Sequence, residues 1–326
     1  MKGALTVFRK EIGDYFSSKI FIILLGLIYI AGLGFAYLSI QAIKSAPMST
    51  DQALLVKVFI DEMFFLKLYT VGEINAIMTF NFVRFFGAFI PLIGIMFGFN
   101  AINSERNSGN ISRILSQPIY RDSLINGKFL AGITTISIMI SSIVLIVMGI
   151  GLRSIGVPPT SEEILRIFIF IIICVIYGIF WMSLSMLFSI LMRNVAAAIL
   201  TAIPIWLFLT FFWPFLSPQI ANRAIPVVNG STLATQISNV SLTVDLMRIS
   251  PFILFYESTA AVMDPTLGHL SLRVTDSDLS KLIASPLSIS QSLVQIWPQL
   301  IAILALAIIC FAISYVVFMR QEIRST

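Results

Sequence analysis

The sequence predicts an all-α polytopic membrane protein, and three observations carry that prediction. Of 326 residues, 58% are hydrophobic and only 11% charged, with 27 Phe, whereas a soluble domain carries about 25% charged residues. The apolar residues gather in six runs, 20–43, 82–102, 129–152, 167–192, 195–216 and 293–319, each near the ~20 residues needed to cross ~30 Å of hydrocarbon. These runs are continuous, unlike the short alternating segments of a membrane β-barrel. The basic residues then fall unevenly between the connections. With the N-terminus inside, the cytoplasmic segments hold Lys2, Arg9, Lys10, Lys19, Arg106, Arg113, Arg121, Lys128, Arg193, Arg320 and Arg324 against Glu11, Asp14, Glu105, Asp122 and Glu322. The opposite segments carry more acidic than basic residues. Excess Lys and Arg marks the cytoplasmic side, so both termini are expected there, in a single membrane domain spanning 1–326.

Taken in order, residues 1–18 place Leu5, Phe8, Ile12, Tyr15 and Phe16 on one helical face and Lys10, Glu11 and Asp14 on the other. This predicts an interfacial helix leading into the first span; an ordinary solvated tail is the alternative. The first run is too long for a signal-peptide core, and no small-residue cleavage site follows promptly. Residues 53–69 are apolar but interrupted by Lys57, Asp61, Glu62 and Lys67. At about 2.5–3.5 kcal/mol for each charge at mid-bilayer, they read as an outer-surface helix rather than a seventh span. The second span carries Gly87, Gly94 and Gly98 on one face, with GIMFG as a small-xxx-small pattern for close helix packing. The partner helix could belong to this chain or to a second copy. Arg84 is read as an interfacial residue and Pro91 as a tolerated kink. Cys174 and Cys310 lie inside spans and read as small core residues.

The region 217–292 is polar overall but contains SPFILFYESTAAVMDP. Ser250 suits an N-cap, Pro251 the first helical position, and Asp264-Pro265 a stop. A helical extracytoplasmic cap between the fifth and sixth spans is expected.

The connection 103–128, NSERNSGNISRILSQPIYRDSLINGK, is the wettest stretch between two apolar runs. A minimal helix-helix connection needs only about 2–8 residues. Ser108 can cap a short helix that sets Ile111, Ile114 and Leu115 at i, i+3 and i+4, with Pro118 ending it. Glu105, Arg106, Arg113, Arg121 and Asp122 flank that face, and Asp122 can cap the helix that follows. An amphipathic element on the inner surface suits docking into a groove on another protein.

The motif SERNSGNISRILSQPIYRDSLINGKFLAG at 104–132, together with the amphipathic N-terminus, the six spans, the SPFILFYESTAAVMDP segment and the C-terminal SPLSISQSLVQIWPQL…FMRQEIRS, resembles the ABC-2 type permeases. The similar members are the six-span exporter subunits of nitrous-oxide-reductase maturation and gliding-motility transporters. Where those relatives place Thr or Ser after the glycine, this chain has Asn110, and its last outer loop is long. The resemblance implies that 103–128 is a coupling helix entering a separate ABC ATP-binding subunit, present in two copies. It implies coupling roles for Glu105, Arg106, Gly109, Ile111, Arg113, Ile114, Leu115 and Arg121. It also implies pairing with a second permease copy or a related permease, in the plasma membrane.

No G-x-x-x-x-G-K-[ST] occurs, and Gly127-Lys128 is followed by Phe129, so no cofactor is expected in this chain and ATP and Mg would be bound by the partner. The chain is not expected to be an enzyme: the single histidine, His269, cannot build H-E-x-x-H, and the six runs contain no Asp or Glu. The basic charge tracks the loops, which points to anionic lipid and not to nucleic acid. An ion-coupled secondary transporter or a non-transporting membrane scaffold are the alternatives.

Overall fold

Lipid forces every backbone polar group to find its partner inside the protein, so apolar runs of this length become helices. The computed structural model describes residues 2–45, 82–103, 120–155, 159–192, 194–228, 231–263 and 288–321. Among these there is no strand. The helices are α1 (Lys2–Ser17), α2 (Lys19–Ser45), α3 (Phe82–Gly98), α4 (Arg121–Ile155), α5 (Ser161–Leu191), α6 (Val195–Leu207), α7 (Trp213–Ala224), α8 (Leu233–Met247), α9 (Pro251–Met263) and α10 (Ile289–Arg320). A π-helical turn, Phe208–Phe212, makes α6 and α7 one continuous rod. The described helices α2, α4, α5, the α6–α7 rod and α10 are long and apolar enough to cross a membrane. The 17-residue α3 is a shorter apolar helix, about 26 Å at 1.5 Å per residue.

Local sequence fixes several of the helix starts. Thr160 and Glu163 form a reciprocal capping box on α5, Ser288 and Gln291 another on α10, and Asn194 and Thr232 cap α6 and α8. α4 begins at Arg121, ahead of the apolar run at 129–152, and Asp122 lies within its first turn. The Asp122 carboxylate accepts from the Ser123 N–H at 2.7 Å instead of standing outside the helix as a cap.

α5 is the axis of the bundle, packed by α3, α10, α4 and α9, with Tyr177 and Trp181 fully buried. The α3 contact is backbone to backbone. A Cβ on Gly94 would sit 2.6 Å from the Gly178 carbonyl oxygen, and one on Gly98 would sit 2.5 Å from that of Met182. The partner of this glycine face is therefore a helix of the same chain. Gly87, two turns nearer the other end, faces the Phe252 and Phe255 rings of α9, with Phe252 2.7 Å from where its Cβ would lie. Pro91 deprives the Gly87 carbonyl of its i+4 donor, and the Tyr177 hydroxyl supplies one at 3.1 Å. Ser185 donates across the same contact to the Ile95 carbonyl at 3.0 Å.

The region expected as a cap goes deeper than a cover. α8 runs antiparallel to α7: Asn239 donates to the Asn222 side chain and the Ile225 carbonyl, while Trp213 Nε1 reaches the Leu246 carbonyl near the middle of the rod. The chain then bends by 107° and α9 returns along α5, with Phe255 stacked on Tyr177 and the Val262 carbonyl accepting from Arg166 at 2.7 Å. The α8–α9 pair thus enters and leaves at the same end. Glu257 of α9 is buried, held by Arg248 at 3.0 Å and by Gln299 of α10 at 3.1 Å. Ser250 precedes α9 as the sequence suggested, but its hydroxyl is spent elsewhere, on the Leu209 carbonyl.

Because the α3–α5 contact leaves no room for a methyl group, Gly98→Ala and Gly94→Ala should each cost about 1–3 kcal/mol, read as a lowered midpoint of thermal unfolding in detergent. Gly149→Ala, where nothing lies within 4 Å, should leave that midpoint unchanged.

Candidate functional site

The structure gives most detail where the wet connection leaves and re-enters the bundle. Glu105, Arg106, Gly109, Ile111, Arg113, Ile114 and Leu115 lie outside the described residues; Asn103 and Tyr120 bound the gap, and Arg121 opens α4. Both margins are anchored. On the upstream side, the backbone N–H groups of Ile102 and Asn103 both point at Ser189 Oγ of α5, at 3.2 and 3.3 Å. The Asn103 side chain is fully buried and has no hydrogen-bond partner among the described residues. On the downstream side, Arg121 donates to the Gln321 carbonyl at 2.8 Å, and the Gln321 side chain donates to the Ile190 carbonyl at 3.0 Å. The two margins are thus joined through the last turns of α5 and α10. Val7, Ala101, Ile102, Leu124, Ile125, Met186, Ile190 and Phe318 form one apolar cluster beneath them.

α1 braces this end. Its polar residue Glu11, placed by periodicity on a solvated face, is buried against α4, where Lys128 Nζ donates to its Oε1 at 2.8 Å. Lys10 remains exposed and lies 3.5 Å from Glu11 and 3.6 Å from Asp14. Gly127 makes the approach possible: a Cβ there would stand 2.8 Å from both the Ala4 carbonyl oxygen and Val7 Cβ. Tyr15 closes the far end of α1 edge-on against Phe97 of α3. The face toward α4 is therefore Val7 and Glu11, while Leu5 and Phe16 stay exposed. A buried ion pair is retained only with both partners present, because removing one strands a charge out of water.

Of the residues singled out in sequence, Arg121 falls in this anchored end, and Gly98 lies just upstream of it, its carbonyl accepting from Ala101 N at 3.1 Å. Gly87 and Gly94 stand higher on α3. Sequence reasoning missed Glu11, Lys128, Ser189 and Gln321. Glu11 was masked by its neighbours, since Lys10 and Asp14 make the local charge pattern look solvated; the small-residue step Gly127-Lys128 was the available hint. Among the described residues no group of three or more His, Cys, Asp or Glu could hold a metal ion.

Lys128→Ala should leave the buried Glu11 carboxylate with only the exposed Lys10 beside it, at 3.5 Å, at a cost approaching the ~3–5 kcal/mol of a broken buried pair, releasing α1. A cysteine replacing Val7 should then be labelled at least ten times faster by a water-soluble maleimide. The apolar double replacement Glu11→Leu with Lys128→Met should restore slow labelling.

The comparisons with known proteins agree with this architecture. No curated protein matches the chain. The family model described as ABC-2 family transporter protein matches residues 5–323, from α1 to just beyond α10. A helical, multi-pass membrane chain of this organisation, matched over nearly its whole length, belongs to the ABC-2 transporter family, whose members are membrane components, and is the permease component of an ABC transporter.

Proposed function

We propose that the chain is the membrane-spanning permease subunit of an ATP-driven exporter. It is driven through residues 103–128 by a separate ATP-binding subunit, present in two copies, that holds ATP and Mg. A second permease copy, or a related permease, completes the pathway in the plasma membrane. The observation that carries this reading is the anchoring of both margins of the wet connection. A force applied between Asn103 and Arg121 enters α3 and α5 through Ser189, and α4, α5 and α10 through Arg121 and Gln321. A connection serving only to reverse the chain has no need of such anchorage. The chain also lacks a G-x-x-x-x-G-K-[ST] sequence, so the nucleotide site belongs to a partner. Export as the direction rests on the resemblance of the 104–132 motif to exporter permeases.

An ion-coupled carrier would draw on an ionisable group at depth, and Glu257 is buried. Its two oxygens are, however, taken up by Arg248 and Gln299, which suits a structural tie better than a site that must accept and release a cation.

In the complex of this chain with its ATP-binding subunit, Glu105→Ala with Arg106→Ala should weaken association about 30-fold, as loss of a docking anchor worth ~2 kcal/mol does. Alternatively it should leave assembly intact while ATP turnover no longer responds to the membrane subunit. Membrane insertion should be unaffected. Wild-type assembly and wild-type stimulation of ATP turnover in the double variant would overturn the assignment of these residues.

A further inference from the structure

The π-helical turn in the α6–α7 rod lies against the bend between α8 and α9, and the two are linked by a proline. In the π register Trp213 N–H donates to the Phe208 carbonyl, five residues back. The next bond in that register would run from residue 214 to the Leu209 carbonyl, but residue 214 is a proline and has no N–H to give. In a membrane span a carbonyl left without a donor is costly. Here the missing donor comes from the bend: Ser250 Oγ donates to the Leu209 carbonyl at 2.5 Å. The chain uses the same device at Pro91, where the Tyr177 hydroxyl serves the Gly87 carbonyl.

The other register is close at hand. In an ordinary α-helix Trp213 N–H would serve Leu209 itself, and Pro214 would orphan the Thr210 carbonyl instead. The Thr210 side chain points to the same alternative. Helical hydroxyls in this protein habitually bond to the carbonyl four residues back, as in Thr135, Thr201, Ser217, Thr243 and Ser258. Thr210 is buried and its hydroxyl has no partner among the described residues, as expected where a π turn takes the place of the i−4 register. Each register thus leaves one polar group unsatisfied: the Thr210 hydroxyl in the π form, the Thr210 carbonyl in the α form. In the π form Ser250 serves the Leu209 carbonyl; in the α form Trp213 N–H would take that carbonyl and leave Ser250 without this acceptor.

We propose that Phe208–Phe212 is a two-register joint whose state is set by docking of the α8–α9 bend, with Ser250 as the positioning residue. With the bend seated, Ser250 holds the π turn. With the bend withdrawn, the rod relaxes to a continuous α-helix, and α7 is re-phased relative to α6 by one residue, about 100° at 3.6 residues per turn. Such linkage is reciprocal: a twist applied to α6, which packs on α3 and α5, unseats the bend. The joint is built from helices of this chain alone and operates whichever protein drives them.

The test is the helical phase of residues 196–206 against that of 214–224. It is read by scanning single nitroxide labels for oxygen collision in a lipid bilayer, in the full chain with Cys174→Ala and Cys310→Ala. Ser250→Ala should shift the phase difference by about 100°, one residue, and Ser250→Thr, which keeps the hydroxyl, should not. Pro214→Ala restores an N–H that serves Leu209 in the π register and Thr210 in the α register, so with Ser250→Ala added only the α register also satisfies the Thr210 hydroxyl, and the combined variant should show the shifted phase. An unshifted phase in folded Ser250→Ala, or in the combined variant, would overturn the proposal; if Ser250→Ala does not fold, the combined variant decides.

Discussion

Gly94 and Gly98 let the backbone of α3 lie directly on that of α5, and the remaining architecture depends on that contact. Helices in lipid gain little from hydrophobic burial against one another, so close van der Waals approach and interhelical hydrogen bonds must hold them. The glycines supply the approach, and Tyr177 and Ser185 supply the bonds, to the Gly87 and Ile95 carbonyls. With α3 fixed to α5, the aromatic surface of Tyr177 receives Phe255 of α9, and α9 in turn receives Gln299 of α10 through Glu257. A single backbone contact thus determines where the re-entering pair can sit.

The same contact orders the opposite end. Ser189 lies two turns beyond the Gly98 contact on α5 and gathers the end of α3; Ile190, one residue on, takes the Gln321 side chain and through it Arg121. α1 then locks the start of α4 by a buried charge pair. The result is an end where four helices and an amphipathic brace share hydrogen bonds around the margins of one polar connection. Packed helices move between discrete arrangements and do not deform continuously, so a displacement at either margin is shared among several helices.

Much of this was legible in the sequence. Continuous apolar length marked the long helices, because the cost of an unpaired backbone in lipid admits little else for a run of 20 residues. The glycine stripe on α3 was visible from its spacing, although spacing could not name α5 as the partner. What escaped were the polar groups whose partners are distant in sequence. Glu11 looked solvated until Lys128, 117 positions away, was brought beside it. Glu257 was placed on a helix of the outer cap, but nothing local in the sequence pairs it with Arg248 or with Gln299 of α10. Ser250 read as a cap by its place before Pro251, but the hydroxyl serves a carbonyl that Pro214 orphaned 41 residues upstream. Periodicity reports which face is apolar, not which tertiary donor will meet an unpaired acceptor.

On the proposed reading, a partner's work enters the membrane helices through the segment between Asn103 and Arg121. The most direct measurement places a photo-crosslinking amino acid at position 111 of the full chain in its native membrane and identifies what it captures. The expected adduct is with the co-purifying ATP-binding chain. Adducts confined to lipid or to the chain itself, in a preparation where that ATP-binding chain is still bound, would contradict that reading.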